Sequence, residues 1–373
     1  MQLNKERIAE TFAKFVAVDS PSYRERQMAD YLKAQYAGLD ISLSEDGCAV
    51  QFDGNAGNLF GKVPGTIPGA PLLFSAHMDT VEPSCGKKAV FHPDGKITSA
   101  GDTVLGVDDA GGLTAIYEAV RWLRETGTPR RSLELMFSPA EEHFSEGTRR
   151  FDFAQSDAKM GYVLDLSADM GAAALKAPGS VHFWLTVHGK AAHSGFNPED
   201  GVHAIAIAAD ALTKLKFGHT DPITTVNIGT IHGGRMTNII PERCELEGEI
   251  RSYEDERIQQ ELDKILSVFD EAAKKQGGSV TSRHEWCYKA LNTPEDAKIV
   301  SCYRKACEDV GLACKLTGTF GMSDCNHLPQ NGIEGIVVSS AMWNCHSTAE
   351  YTTLDDLVKL TELVITLMCQ PDE

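Results

Sequence analysis

The chain has 373 residues, 42% of them apolar and 24% charged, enough to bury a sizeable core in two ordinary domains or in one domain with a large insertion. Its formal net charge of -18 leaves no basic surplus to neutralise phosphates, which excludes nucleic acid and anionic membranes as expected partners. The ten cysteines form no CxxC pair and no regular spacing, as in a reduced cytoplasmic protein.

The N-terminal stretch MQLNKERIAETFAKFV reads as a mixed-charge amphipathic helix rather than a signal peptide, and no apolar run is long enough to span a bilayer. Strand and helix signals then alternate. PLLFSAHMDTV is a short apolar run ending in polar residues, DAGGLTAIYEAVRWLRETG is helical with a glycine stop, and RSLELMFSPAEEH and MGYVLDLS read as strands. Such alternation predicts an α/β domain, a mainly parallel sheet with helices on both faces.

Near residue 179 the texture changes. SVHFWLTVHGKAA alternates with period two, GVHAIAIAADALTKLK is an amphipathic helix, TTVNIGTIHGG and CELEGEIRSYE read as strands, DERIQQELDKILSVFDEAAKKQG is a second helix, and VTSRHEWCYKA closes the block. The order β-α-β-β-α-β predicts an inserted ferredoxin-like α+β lid over residues 179–289. Residues 1–178 and 290–373 would form one discontinuous domain, since the βα texture returns near 290 and ends in LDDLVKLTELVITLMCQ.

Strand-like runs in the first domain end in candidate metal ligands: His77 and Asp79 in SAHMDTV, Glu141 and Glu142 in SPAEEH, Asp165 in LDLS, and His346 in WNCHSTAEYT. GVDDAGG adds Asp108 and Asp109 just before a helix. In open α/β sheets ligands gather at the carboxyl ends of strands, so these segments are expected to converge. Imidazoles and carboxylates without thiolates suit zinc, with cobalt or manganese as substitutes.

Charge counting bears on how many ions such a site would hold. Three ionised carboxylates, Asp108, Glu142 and Asp165, over-neutralise one divalent ion. Two ions leave a single positive charge that a bridging hydroxide would cancel, so a dinuclear site is expected. Amide hydrolysis there also needs a carboxylate that takes the water's proton and passes it to the leaving amine. Glu141 and Glu142 offer one residue for each role, and alternation along a strand would turn them to opposite faces.

SAHMDTV, GVDDAGG, PAEEH, LDLS and CHSTAE together resemble the aminoacylase and peptidase T group of dinuclear zinc metallopeptidases (metallopeptidase family twenty). LGVDDAGG, GKAAHSG, NIGTIHGGRMTNIIP and GMSDCNHL, in that order, resemble its peptidase T-like branch over nearly the whole chain. The resemblance implies that His77 and Asp165 hold one zinc, that Glu142 and His346 hold the other, and that Asp108 bridges them. It also implies that Asp79 orients His77 and that Glu141 is the general base and then the acid. In the lid, His193 would stabilise the oxyanion, reaching a neighbouring subunit's site in a homodimer formed through the lid, and Asn238 and Arg251 match the substrate-binding pair in position.

The sequence departs from that pattern at His143, after the glutamate pair, and at Phe320, Met322, Trp343 and Cys345 near the expected pocket. The implied function is a cytoplasmic exopeptidase acting on short peptides, an aminopeptidase of tripeptidase type. A dipeptidase, a carboxypeptidase or an N-acyl amino acid amidohydrolase would share the scaffold. A non-catalytic peptide or metabolite receptor is the reading from a different class.

Overall fold

A computed structural model describes residues 2–372 and divides the chain into two compact units. One runs to Lys176 and resumes at Asn292; the other spans Ala177–Leu291.

The first unit is built on a nine-stranded mixed sheet. Its central strands lie in the order Leu133–Ser138, Leu72–His77, Met160–Leu166 and Glu334–Ser339, and all are parallel. Leu59–Val63 adds antiparallel to Leu133–Ser138, and Ala172–Ala177 pairs antiparallel with Glu334–Ser339 on the other flank. The central runs are buried at nearly every position, which is why they read as continuous apolar stretches and not as alternating ones.

Both faces of the sheet carry helices. Leu72, Phe74 and Ala76 share a core with apolar residues of the helices Lys5–Val16, Arg26–Ala37, Val107–Thr126, Lys298–Asp309 and Leu354–Cys369. On the opposite face the short 3-10 helix Asp324–His327 and the residue after it lie close to the sheet. A Cβ on Gly335 would stand 2.7 Å from the Cys325 sulfur, and one on Gly161 would stand 2.7 Å from Leu328. Glycine at both positions is what lets this second layer approach.

Register brings the chemistry to one edge. His77 pairs with Ser138, Ser75 with Val163, and Ser339 with Leu166. The carboxyl ends of the central strands are therefore level, and the segments leaving them begin side by side.

The second unit is a five-stranded antiparallel sheet with the order Gly218–Asp221, Thr224–Gly233, Arg243–Ser252, Gly179–His188, Ser279–Tyr288. Without the short first strand this is the β-α-β-β-α-β unit expected from the sequence, its helices being Ala204–Leu212 and Asp255–Lys275. Val181, Phe183, Leu185 and Val187 point into a core with Ile207, Leu262, Ile265 and Phe269. His182, Trp184, Thr186 and His188 alternate with them and are half-buried.

Candidate metal centre

His77 is the last residue of its strand and is buried. Its Nε2 lies 2.9 Å from Asp108 Oδ1, and its Nδ1 lies 3.0 Å from the Asp79 carbonyl oxygen and 3.3 Å from Asp79 Oδ1. Burial lowers the imidazole's affinity for a proton, but Asp108 and Asp79 more than offset this and hold it well above its ordinary range.

Asp108 and Asp109 sit at the kinked start of the helix Val107–Thr126, where both have non-helical backbone angles and the peptide between them is cis. They divide the work. Asp109 turns inward: its Oδ1 accepts from the Gly112 amide (3.0 Å), capping the regular helix, and its Oδ2 accepts from the His77 amide (3.2 Å). Asp108 turns outward and places Oδ1 against His77 while Oδ2 lies 3.3 Å from His346 Nε2. Burial opposes its ionisation, yet the two imidazoles hold its carboxyl below the usual range.

The glutamate pair corrects the sequence reading. The strand stops at Ser138, and Glu141 and Glu142 stand in the loop beyond it, so strand alternation is not what separates their side chains. The loop is closed on itself by Ser145 N–H to the Glu141 carbonyl (2.9 Å) and Glu146 N–H to the Ala140 carbonyl (3.0 Å). Ala140, Phe144 and Ser145 take positive φ in it, a conformation costing roughly 1–3 kcal/mol each that persists only where the surroundings impose it. The Asp79 carboxylate accepts the Glu141 amide at Oδ1 (2.9 Å) and the Glu142 amide at Oδ2 (3.3 Å). Asp79 thus contacts both the His77 side chain and the backbone of the pair.

A ligand atom of Glu141, of Asp165 and of His77 lie within 4.8 Å of one another, and the same holds for His77, Asp108 and Glu142. His346 completes the ring, its Nε2 3.0 Å from Glu142 Oε1. It comes from a loop in which Ala341, Asn344 and His346 all have positive φ, and Asp108 and Glu142 raise its imidazole to about 10. Burial pushes Glu141 and Asp165 well above the usual carboxylate range, with repulsion from neighbouring carboxylates adding to it.

These donors suit divalent cations. Largely buried carboxylates, the buried His77 and the exposed His346 crowd one edge with no lysine or arginine lining the cleft among the described residues, so protons or cations must balance them. Glu142 Oε1 stands 3.0 Å from the His346 imidazole nitrogen, close enough for the two to share one ion.

Other expected residues lie elsewhere. His193 and Asn238 belong to the second unit, where they are exposed neighbours: His193 bridges to Ile239, and Ser194 N–H donates to the Asn238 carbonyl (3.1 Å). Arg251 is in the same unit, its guanidinium forked onto Glu249 at 2.7 and 2.9 Å. It sits at the far end of the strand Arg243–Ser252 from the loops carrying His193 and Asn238, roughly 27 Å along an extended strand. Within one chain Arg251 and Asn238 are therefore not a pair. His143 turns to the ring of Tyr23 (4.8 Å between centroids) and joins neither ligand group, and Trp343 stacks on Tyr351.

Sequence reasoning missed two buried carboxylates. Glu350, in CHSTAE, accepts the Gly106 amide (2.6 Å) and the Asp108 amide (3.1 Å), and burial raises it to about 7. Glu25 accepts the Tyr23 amide (2.7 Å) and the Ala140 amide (3.0 Å) with one oxygen. Neither carries a signal in the sequence, because what each bonds is a distant backbone amide.

Comparison with known proteins bears on the fold and the family. The family model for the peptidase dimerisation domain matches residues 175–277. A solved tripeptidase from Staphylococcus aureus superposes with a TM-score of 0.94 at 31% identity, covering 99% of both chains. The aminopeptidase PepT of Bacillus cereus gives 0.91 at 32% identity over 98% of both. The uncharacterised protein YqjE of Bacillus subtilis is 31% identical over 366 residues, 98% of each chain. With a matching lid domain and relatives of this identity along its whole length, the chain belongs to the M20 family of metallopeptidases, in its peptidase T-like branch.

Proposed function

We propose that this enzyme removes the N-terminal residue from short peptides, tripeptides foremost, with two zinc ions at the strand ends of its first unit; cobalt or manganese could substitute. His77 and Asp165 would hold one ion, Glu142 and His346 the other, and Asp108 would serve both. The observation that carries this reading is that the two oxygens of Asp108 face different imidazoles, Oδ1 toward His77 and Oδ2 toward His346. When bound, the metal pair would polarise the scissile carbonyl and make water a nucleophile, by a hydroxide shared between the ions, near neutral pH.

The chain's own residues would do the rest. Glu141 would take the attacking water's proton on a carboxylate oxygen and deliver it to the leaving amine. Its burial suits a group that must keep a proton from bulk water between the two events. Asp79 would fix the His77 ring and, through two amides, the loop of the base. His193 and Asn238 would meet the substrate from a lid, across a homodimer, and Arg251 would engage it separately from them.

Two observations favour an aminopeptidase over a carboxypeptidase. The cleft lining contributed by the first unit includes no lysine or arginine to receive a terminal carboxylate, whereas its carboxylates suit a terminal ammonium. The two solved relatives are also titled a tripeptidase and an aminopeptidase. Ten free cysteines support a cytoplasmic location.

The test is a panel of di-, tri- and N-acyl peptides incubated with zinc- or cobalt-loaded protein and read by mass spectrometry. Loss of the N-terminal residue from tripeptides supports the proposal. Release of the C-terminal residue, or turnover confined to N-acyl amino acids, would replace it.

A further inference from the structure

The segment Ser20–Glu25 has no role in the chemistry outlined above, yet it is fastened at several points to the two segments that carry Asp79 and Glu141. Ser20 accepts the Thr80 amide on its carbonyl (2.9 Å), and Pro21 bridges to Thr80. Ser22 donates its hydroxyl to Asp79 Oδ2 (2.7 Å). Tyr23 takes a positive φ of 69° and lays its ring against His143. Glu25 is fully buried, and its Oε1 gathers the Tyr23 and Ala140 amides together.

Ala140 is the residue immediately before Glu141 and has a φ of 50°. Its loop is closed internally, so the point at which Ala140 is held sets where the Glu141 carboxylate stands. Asp79 grips the same loop one residue later through the Glu141 amide. The two grips come from different segments, and Ser22 joins them by bonding Asp79 itself.

We propose that Glu25 is a positioning residue for Glu141: its buried carboxylate oxygen, accepting the Tyr23 and Ala140 amides together, ties the loop of the proton-transfer group to the Ser20–Glu25 strap. The role rests on the reading of Glu141 as the base. It requires one well-placed acceptor oxygen. Both amides bond to Oε1 and the buried Oε2 has no hydrogen-bond partner, so one oxygen accounts for both contacts.

That distinction defines the experiment. Glu25→Gln keeps an acceptor oxygen for both amides, whereas Glu25→Leu fills the site with an apolar side chain and has none. In the zinc-loaded protein, Glu25→Leu should lower kcat on a tripeptide about 10- to 100-fold, as misplacement of a reacting group does. KM and bound zinc should stay close to wild type, and Glu25→Gln should recover most of kcat. Hydrogen exchange of the segment 138–146 gives a second readout that needs no turnover: it should quicken in Glu25→Leu and stay near wild type in Glu25→Gln.

A wild-type kcat or unchanged exchange in Glu25→Leu overturns the proposal, as does a Glu25→Gln variant as impaired as Glu25→Leu. Should Glu25→Leu not fold, Glu25→Asp, which retracts the oxygen by one methylene, must show the same fall in kcat and faster exchange, or the proposal fails. If the wild type hydrolyses no peptide, the functional reading fails, and the exchange data still decide whether Glu25 holds the loop.

Discussion

At the scale of single residues, the site divides side chains that stand together as candidate ligands from buried carboxylates that hold backbone. Asp108, Glu142, Asp165, His77 and His346 offer donor atoms, while Asp79, Asp109, Glu25 and Glu350 accept amides from the loops bearing those donors. Glu350 shows what this implies. It takes the Gly106 and Asp108 amides on separate oxygens, so Glu350→Gln would turn an NH2 group toward one of two N–H donors and leave that donor unpaired. The Asp108 side chain should lose its fixed position between the imidazoles. The expected outcome is metal affinity weakened roughly 10- to 100-fold with the fold retained, measured by titration against a competing chelator. Unchanged affinity would mean that Asp108 is held by other contacts.

At the scale of elements, level strand ends deliver the site, and close approach of a helix completes it. The helix Val107–Thr126 meets the loop after Glu334–Ser339 at Gly111, where a Cβ would stand 2.7 Å from the Ser340 carbonyl oxygen. Alanine in a helix interior normally gains about 1 kcal/mol over glycine. Here the backbone contact must open instead, at a cost of about 1–3 kcal/mol. Gly111→Ala should therefore lower Tm and weaken metal binding together, because the loop it displaces carries His346; denaturation followed with and without zinc reads both.

The elements also explain what could be read from sequence. The strand ends, the helix start at Asp108–Asp109 and the β-α-β-β-α-β order of the lid are local patterns of apolar period and turn residues, and they were legible. The glutamate pair was legible as chemistry but misread as strand, because PAEEH continues an apolar run and nothing in it announces a positive φ at Ala140. Glu25 and Glu350 were not legible. Each acts on backbone amides 115 and 242–244 residues away, and an amide leaves no mark on the partner's side-chain pattern. Arg251 was placed by motif position alone, which carries no information about which end of a strand faces a loop.

At the scale of the whole molecule, the exposed His193 and Asn238 belong to a different unit from the candidate ligands, and neither is in a ligand group among the described residues. If the lid serves the site of a second copy, Glu141→Gln and His193→Ala chains, each inactive alone, should regain activity when co-refolded. Recovery should approach a quarter of wild-type turnover, since about half of a random mixture is heterodimer and each heterodimer keeps one intact site. No recovery would confine each site to one chain. The central claim, a two-metal site with Glu141 as its proton carrier, is tested most directly by counting bound zinc per chain in wild type and Glu141→Gln while following tripeptide hydrolysis. Two ions per chain are expected in both proteins, with hydrolysis lowered about 100- to 10,000-fold in Glu141→Gln. Full activity with a single ion, or a Glu141→Gln protein that turns over at the wild-type rate, would contradict it.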